Sequence, residues 1–221
     1  WQVPYAPGKD RWMNYGEMVE SMDAMVGRLV TKLDALKLRE NTLILFSGDN
    51  GTAAKSKLRH RKGEGYEKEQ VYSIQNGQRI PGGKGSLLDI GTHVPLIANW
   101  QNTVAAGSQS QALVDFSDWL PTFAHLAKAQ LPSGQLDGRS FVPALLGQAQ
   151  KKARAFAFAE SKGGKGWART RQYKLYNNGK FFDMKNDPME KKPLAKPTGH
   201  AASGLELLHG SMKRLGFPFK R

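Results

Sequence analysis

Asp49 and Asn50 stand side by side where the run Asn41-Thr42-Leu43-Ile44-Leu45-Phe46-Ser47 gives way to the turn Gly48-Asp49-Asn50-Gly51. Adjacent carboxylate and amide oxygens suit a hard cation such as Ca²⁺ or Mg²⁺, which takes oxygen ligands. Two donors leave such a shell incomplete, so other ligands of a metal site must come from elsewhere, and the same tripeptide also makes an ordinary turn. Lys84 lies among glycines in Gly82-Gly83-Lys84-Gly85-Ser86. Missing side chains there let a ligand approach the backbone, and the ammonium is a point charge suited to a tetrahedral oxyanion. The segment lacks the Gly-x-x-x-x-Gly-Lys-Ser/Thr pattern of a P-loop, and a solvated turn is its other reading. His93 follows in Gly91-Thr92-His93-Val94-Pro95, as an orienting group, a proton donor or a structurally hydrogen-bonded histidine.

These residues need a scaffold. Between Asn14 and Leu38, Met18, Met22, Met25, Val26, Leu29, Val30, Leu33 and Leu36 recur every three or four positions, and Asn14 with Glu17 has the form of a capping box. The pattern predicts an amphipathic helix packed on a core. The run ending at Ser47 reads as a buried, parallel strand, and Val94 to Ala98 as a second buried strand. A helix feeding such a strand points to an α/β layer architecture. From Thr52 to Pro81 the pattern dissolves into a polar, basic stretch read as a surface loop or insertion. Ser117 starts a helix through Ala127, with Pro121 tolerated in its first turns, and Phe141 to Leu146 forms a short helix capped by Asp137-Gly138-Arg139-Ser140 and stopped by Gly147.

The last third reads differently. Ala155 to Glu160, Trp167 to Thr170, Tyr173 to Tyr176 and Lys180 to Asp183 predict short strands, with Asn177-Asn178-Gly179 as a hairpin turn, and Ala201 to Leu215 a closing amphipathic helix. The expected division is an α/β part over 1–150 and a small antiparallel-sheet subdomain over 151–221, joined near Gln148 to Arg154.

Composition narrows the chemistry. Across 221 residues, 33 Lys and Arg against 19 Asp and Glu leave a net charge of +14, favouring an anionic partner. With no cysteine, disulfides, thiolate zinc sites, iron–sulfur clusters and a thiol nucleophile are excluded within these residues. No apolar run reaches the ~20 residues of a membrane span. The chain opens Trp1-Gln2-Val3-Pro4-Tyr5 with no visible targeting signal, which is compatible with an internal fragment. His60, His125, His200 and His209 form no pair with zinc-motif spacing. The basic stretch Lys55 to Lys84 includes Tyr66 and Tyr72 but no helix-turn-helix or RNP signature, so nucleic acid is not the expected partner.

In order along the chain, Met18 to Leu29, Leu38 to Gly51, Gly82-Gly83-Lys84-Gly85-Ser86 through Thr92-His93-Val94-Pro95-Leu96-Ile97, Ser117 to Thr122, Leu136-Asp137-Gly138-Arg139-Ser140, Tyr173-Lys174-Leu175-Tyr176 and Phe182 to Pro188 resemble the C-terminal half of the formylglycine-dependent sulfatases of the alkaline phosphatase superfamily. The resemblance covers most of the chain. It implies part of an alkaline-phosphatase-like mixed sheet flanked by helices, with a small antiparallel C-terminal sheet. It further implies that Asp49 and Asn50 hold a divalent cation, most often Ca²⁺ in that family, and that Lys84 contacts the substrate sulfate. In the implied reaction a formylglycine hydrate attacks the sulfate ester, metal and basic groups stabilise the transferring group, the alcohol leaves, and elimination of sulfate regenerates the aldehyde.

One part of the pattern is missing. The family's Cys/Ser-x-Pro-x-Arg nucleophile motif and its N-terminal paired aspartates have no match, which places the nucleophile on an upstream portion. Where many relatives have Glu-Gly-Gly-x-Arg, this chain has Asp89-Ile90-Gly91-Thr92-His93, so His93 replaces an arginine beside the site. The expected substrate is an anionic sulfated small molecule or carbohydrate, and the family points to a periplasmic or secreted setting. A phosphodiester or phosphonate monoester hydrolase of the same superfamily and a noncatalytic polyanion-binding module are the alternatives. Half a sheet should also expose an edge and an apolar face.

Overall fold

The computed structural model describes residues 6–9, 11–59, 66–75, 77–149 and 153–217. His60, Arg61, Lys62 and Glu64 of the basic stretch, and part of the expected joint at 148–154, lie outside the described residues. The chain divides into two compact units, Trp1–Asn102 and Thr103–Arg221.

The first unit opens with helix α1, Tyr15–Ala35. Its start is fixed by the expected capping box: the Glu17 N–H donates to Asn14 Oδ1 at 2.8 Å, and the Asn14 N–H donates to Glu17 Oε2 at 2.8 Å. Arg11 and Lys9 add charged donors to the same carboxylate at 2.7 and 2.8 Å. Together these donors, Arg11 first, hold the Glu17 carboxyl far below the usual carboxylate range. The apolar stripe is present but not packed on a core as expected: no α1 residue is buried, and Leu29 is 53% exposed. Two-stranded sheets make up the rest of the sheet structure described in this unit, and such small sheets cover little of a long helix.

Strand β1, Ile44–Ser47, follows. The polar stretch after it, expected as a surface loop, contains strands among its described residues. Its described residues form two antiparallel strand pairs, β2 (Lys55–Arg59) with β3 (Tyr66–Gln70), then β4 (Tyr72–Gln75) with β5 (Gln78–Pro81). The β2–β3 ladder rests on backbone hydrogen bonds and polar cross-strand pairs, so no apolar alternation marks it in sequence, and β4 offers only the short alternation of Tyr72 and Ile74. A single short turn, α2 (Asp89–Thr92), leads to β6, Leu96–Asn99. β6 pairs with β1 antiparallel, with Leu45 opposite Ala98 and Phe46 opposite Ile97. This corrects the parallel, buried expectation for β1: an unbroken apolar run reports covered faces and not strand direction, and here every β1 residue is only half-buried.

In the second unit, α3 (Trp119–Ala127) and α4 (Val142–Leu145) precede the sheet of β7 (Ala157–Ser161), β8 (Lys165–Arg169), β9 (Tyr173–Tyr176) and β10 (Phe181–Asp183). Helix α5, His200–Arg214, follows. The sheet is antiparallel in the order β10-β9-β8-β7, as expected of this region. Ala168, Leu175 and Phe181 of the sheet bury against Leu208 and Met212 of α5, with Phe217 closing the cluster.

The residues from Thr103 to the sheet belong to the same compact unit as the sheet. The reason is a buried ion pair. Arg154 Nε donates to Asp118 Oδ2 at 2.8 Å, while its other nitrogens reach Asp118, Ser117 Oγ, the Asp137 carbonyl and the Phe156 carbonyl. Asp118 also accepts the Asp115 and Arg139 N–H groups at 2.9 and 2.6 Å. The α4 cap departs from expectation: Phe141 is the N-cap and makes no side-chain capping bond, while Ser140 Oγ before it accepts the Val142 N–H at 3.3 Å.

Candidate active site

The sequence motifs meet through backbone contacts. The Gly51 N–H donates to the Gly91 carbonyl at 2.8 Å, and the Lys84 N–H donates to the Thr52 carbonyl at 2.9 Å. The Asp49-Asn50 turn, the Gly82–Ser86 turn and α2 are thereby held as one cradle, although the two hairpins separate them along the chain. Such an approach demands glycine. A Cβ on Gly51 would stand 2.2 Å from the Ile90 carbonyl oxygen, and one on Gly91 would stand 2.3 Å from the Ser86 carbonyl oxygen. The N-terminal end of α1 is tied to the same place, because the Tyr15 hydroxyl and Thr52 Oγ1 share a hydrogen bond of 3.1 Å.

On this cradle Asp49 and Lys84 are exposed and Asn50 is half-buried. Among the described residues none of the three side chains has a hydrogen-bond or ion-pair partner, so their polar atoms are available to a ligand. His93 is largely exposed, and its Nδ1 lies 3.4 Å from Asp89 Oδ2. Its backbone N–H donates to the Asp89 carbonyl at 2.8 Å, which ties it to the turn that carries Gly91.

No group of three or more His, Cys, Asp or Glu converges among the described residues. Asp49 and Asn50 fit a divalent cation as hard oxygen donors on glycine-locked backbone, supplying part of a shell. Sequence reasoning gave Tyr15 and Thr52 no part in this site and assigned Ser86 no role within its motif. Ser86 Oγ is buried without a hydrogen-bond partner among the described residues and lies two residues after the glycine-flanked lysine, which was the available signal. No described helix is long and apolar enough to cross a membrane.

The sulfatase family profile matches residues 6–129, and a profile described as N-sulphoglucosamine sulphohydrolase, C-terminal, matches 84–213. Human steryl-sulfatase is 34% identical over 152 residues, which are 68% of this chain and 24% of that protein. N-acetylgalactosamine-6-O-sulfatase of Bacteroides thetaiotaomicron is 30% identical over 150 residues, 66% of this chain and 27% of that protein. The chain therefore spans about a quarter of the length of these curated relatives. In fold it is similar to the PsFucS1 sulfatase from Pseudoalteromonas sp., with a TM-score of 0.70 and 22% identity over 95% of this chain and 44% of the other. The fold is thus α/β with a small antiparallel sheet, and with a family profile matched over more than half of its length, the chain belongs to the sulfatase family of the alkaline phosphatase superfamily.

Proposed function

We propose that this chain supplies the metal-binding and sulfate-binding side of a sulfuric ester hydrolase acting on a sulfated carbohydrate, with the formylglycine nucleophile carried outside these 221 residues. One observation carries the assignment of residues: the Gly51–Gly91 and Lys84–Thr52 hydrogen bonds hold the Asp-Asn turn and the glycine-flanked lysine on one cradle. The carbohydrate follows from the net charge of +14 and the named activity of the Bacteroides relative. The family resemblance supports a periplasmic or secreted setting.

In this reading Asp49 and Asn50 offer two oxygens to a divalent cation, Ca²⁺ by family resemblance. When bound, the cation offsets charge on the sulfuryl oxygens. Lys84 places its ammonium against a sulfate oxygen, where preorganised positive charge stabilises the transferring group. His93 contacts the substrate from the α2 side, its ring oriented by Asp89. The cradle holds these groups in place because its glycine contacts leave little room for the backbone to shift.

The test uses the complete protein encoded by the intact reading frame. The expected results are an upstream Cys/Ser-x-Pro-x-Arg motif and turnover of a sulfate ester above that of the matched phosphate ester. The isolated 221-residue chain should be nearly inactive without the nucleophile. A reading frame without the motif, or a preference for the phosphate ester, would overturn the proposal.

A further inference from the structure

The β4–β5 hairpin grows directly out of the candidate site. Val71, buried at its base, donates its N–H to the Ala54 carbonyl at 3.0 Å and accepts the Gly82 N–H at 3.3 Å. Strand β5 ends at Pro81, and the chain enters the lysine turn at once. The register sets Tyr72 opposite Pro81 and Ile74 opposite Arg79, which places all four on one face. The Arg79 guanidinium carbon stands 4.4 Å from the centre of the Tyr72 ring. Tyr72 is 43% and Ile74 62% exposed, and no carboxylate pairs with Arg79 among the described residues. A cation, an aromatic ring and an aliphatic side chain are thus displayed together at the surface. Arg79 and Lys84 are close enough along the chain that their Cα atoms lie within about 18 Å.

We infer that this face binds a second sulfated sugar unit of the substrate, next to the unit whose sulfate faces Lys84. The inference rests on the sulfatase reading and adds a specificity surface to it. A sugar ring presents a C–H face to Tyr72 and Ile74, while a sulfate takes the planar fork of Arg79, held ready over the ring. The occupant is set by the unpaired positive charge and by the backbone continuity of the hairpin with the lysine turn. A small aryl sulfate would reach Lys84 without touching this face.

Titration of the full chain with a heparin-derived tetrasaccharide and with glucosamine 6-sulfate tests the inference. Arg79→Ala and Tyr72→Ala should each weaken tetrasaccharide binding about tenfold more than monosaccharide binding, the scale of one charge-assisted contact. Lys84→Ala should weaken both ligands. If Lys84→Ala weakens both while the hairpin variants weaken neither, or both equally, the hairpin inference fails and the site reading stands. If Lys84→Ala changes neither ligand, the site reading fails and the inference with it. Full rescue by Arg79→Lys together with a silent Tyr72→Ala would reduce the face to a nonspecific basic patch and overturn the inference, as would no tetrasaccharide binding by the parent chain.

Discussion

The two units solve the same problem of holding polar groups in opposite ways. In Thr103–Arg221, charged groups are buried and paired: Lys174 Nζ donates to Glu190 Oε1 at 2.8 Å with both side chains almost fully enclosed, and the ammonium lies over Trp167 and Tyr176 at 4.7 and 5.0 Å. In Trp1–Asn102, Asp49, Asn50 and Lys84 stand without side-chain partners among the described residues, on a backbone fixed by glycine contacts. Paired charge with a closed core makes a scaffold, whereas unpaired charge on rigid backbone makes a place for a ligand. The apolar surfaces follow the same division, since Leu208 and Met212 are fully buried while no residue of the α1 stripe is.

The contrast can be broken first at its most buried pair. Lys174→Met should cost about 3–5 kcal/mol because Glu190 is left charged and enclosed, while Lys174→Met with Glu190→Leu should regain most of that loss. Urea unfolding monitored by tryptophan fluorescence reads both. Leu208→Ala should cost about 2–5 kcal/mol by opening a cavity in the α5–sheet core. On the other side, Gly91→Ala should cost about 1–3 kcal/mol through overpacking against the Ser86 carbonyl, and it should also impair sulfate-ester turnover of the complete protein.

Much of the scaffold was legible in sequence. Asn14 and Glu17 announced the start of α1, and Asn177-Asn178-Gly179 marked the β9–β10 hairpin, because caps and tight turns are local. The hairpins within 52–81 were missed, although Asn76-Gly77 between Gln75 and Gln78 is a strong two-residue hairpin signal. β2 and β3 carry polar residues on both faces, which hides the two-residue period, and β4 offers only the short alternation of Tyr72 and Ile74. The direction of β1 was misread because pairing with β6 is a long-range contact that apolarity does not encode. The candidate residues Asp49, Asn50, Lys84 and His93 were recognisable from their motifs, but the Gly51–Gly91 contact that gathers them depends on the folded backbone.

Smaller effects sharpen the comparison. Glu17 has its folded pKa held below the unfolded value by Arg11, Lys9 and the cap. Its contribution is therefore present above the unfolded value of about 4.3 and is lost as pH falls below it. Glu17→Gln should flatten that part of the stability–pH curve measured by thermal unfolding. Leu29→Lys, at an exposed position of the α1 stripe, should change stability by no more than about 0.5 kcal/mol, in contrast to Leu208→Ala.

The most direct test of the central claim is the turnover of a sulfated carbohydrate by the complete protein and its Asp49→Ala and Lys84→Ala variants. Each substitution should lower kcat about 100-fold or more, the scale of losing a preorganised electrostatic contact to the transferring group. Turnover within a few-fold of the parent in both variants would contradict the claim that this cradle is the metal-binding and sulfate-binding side of the active site.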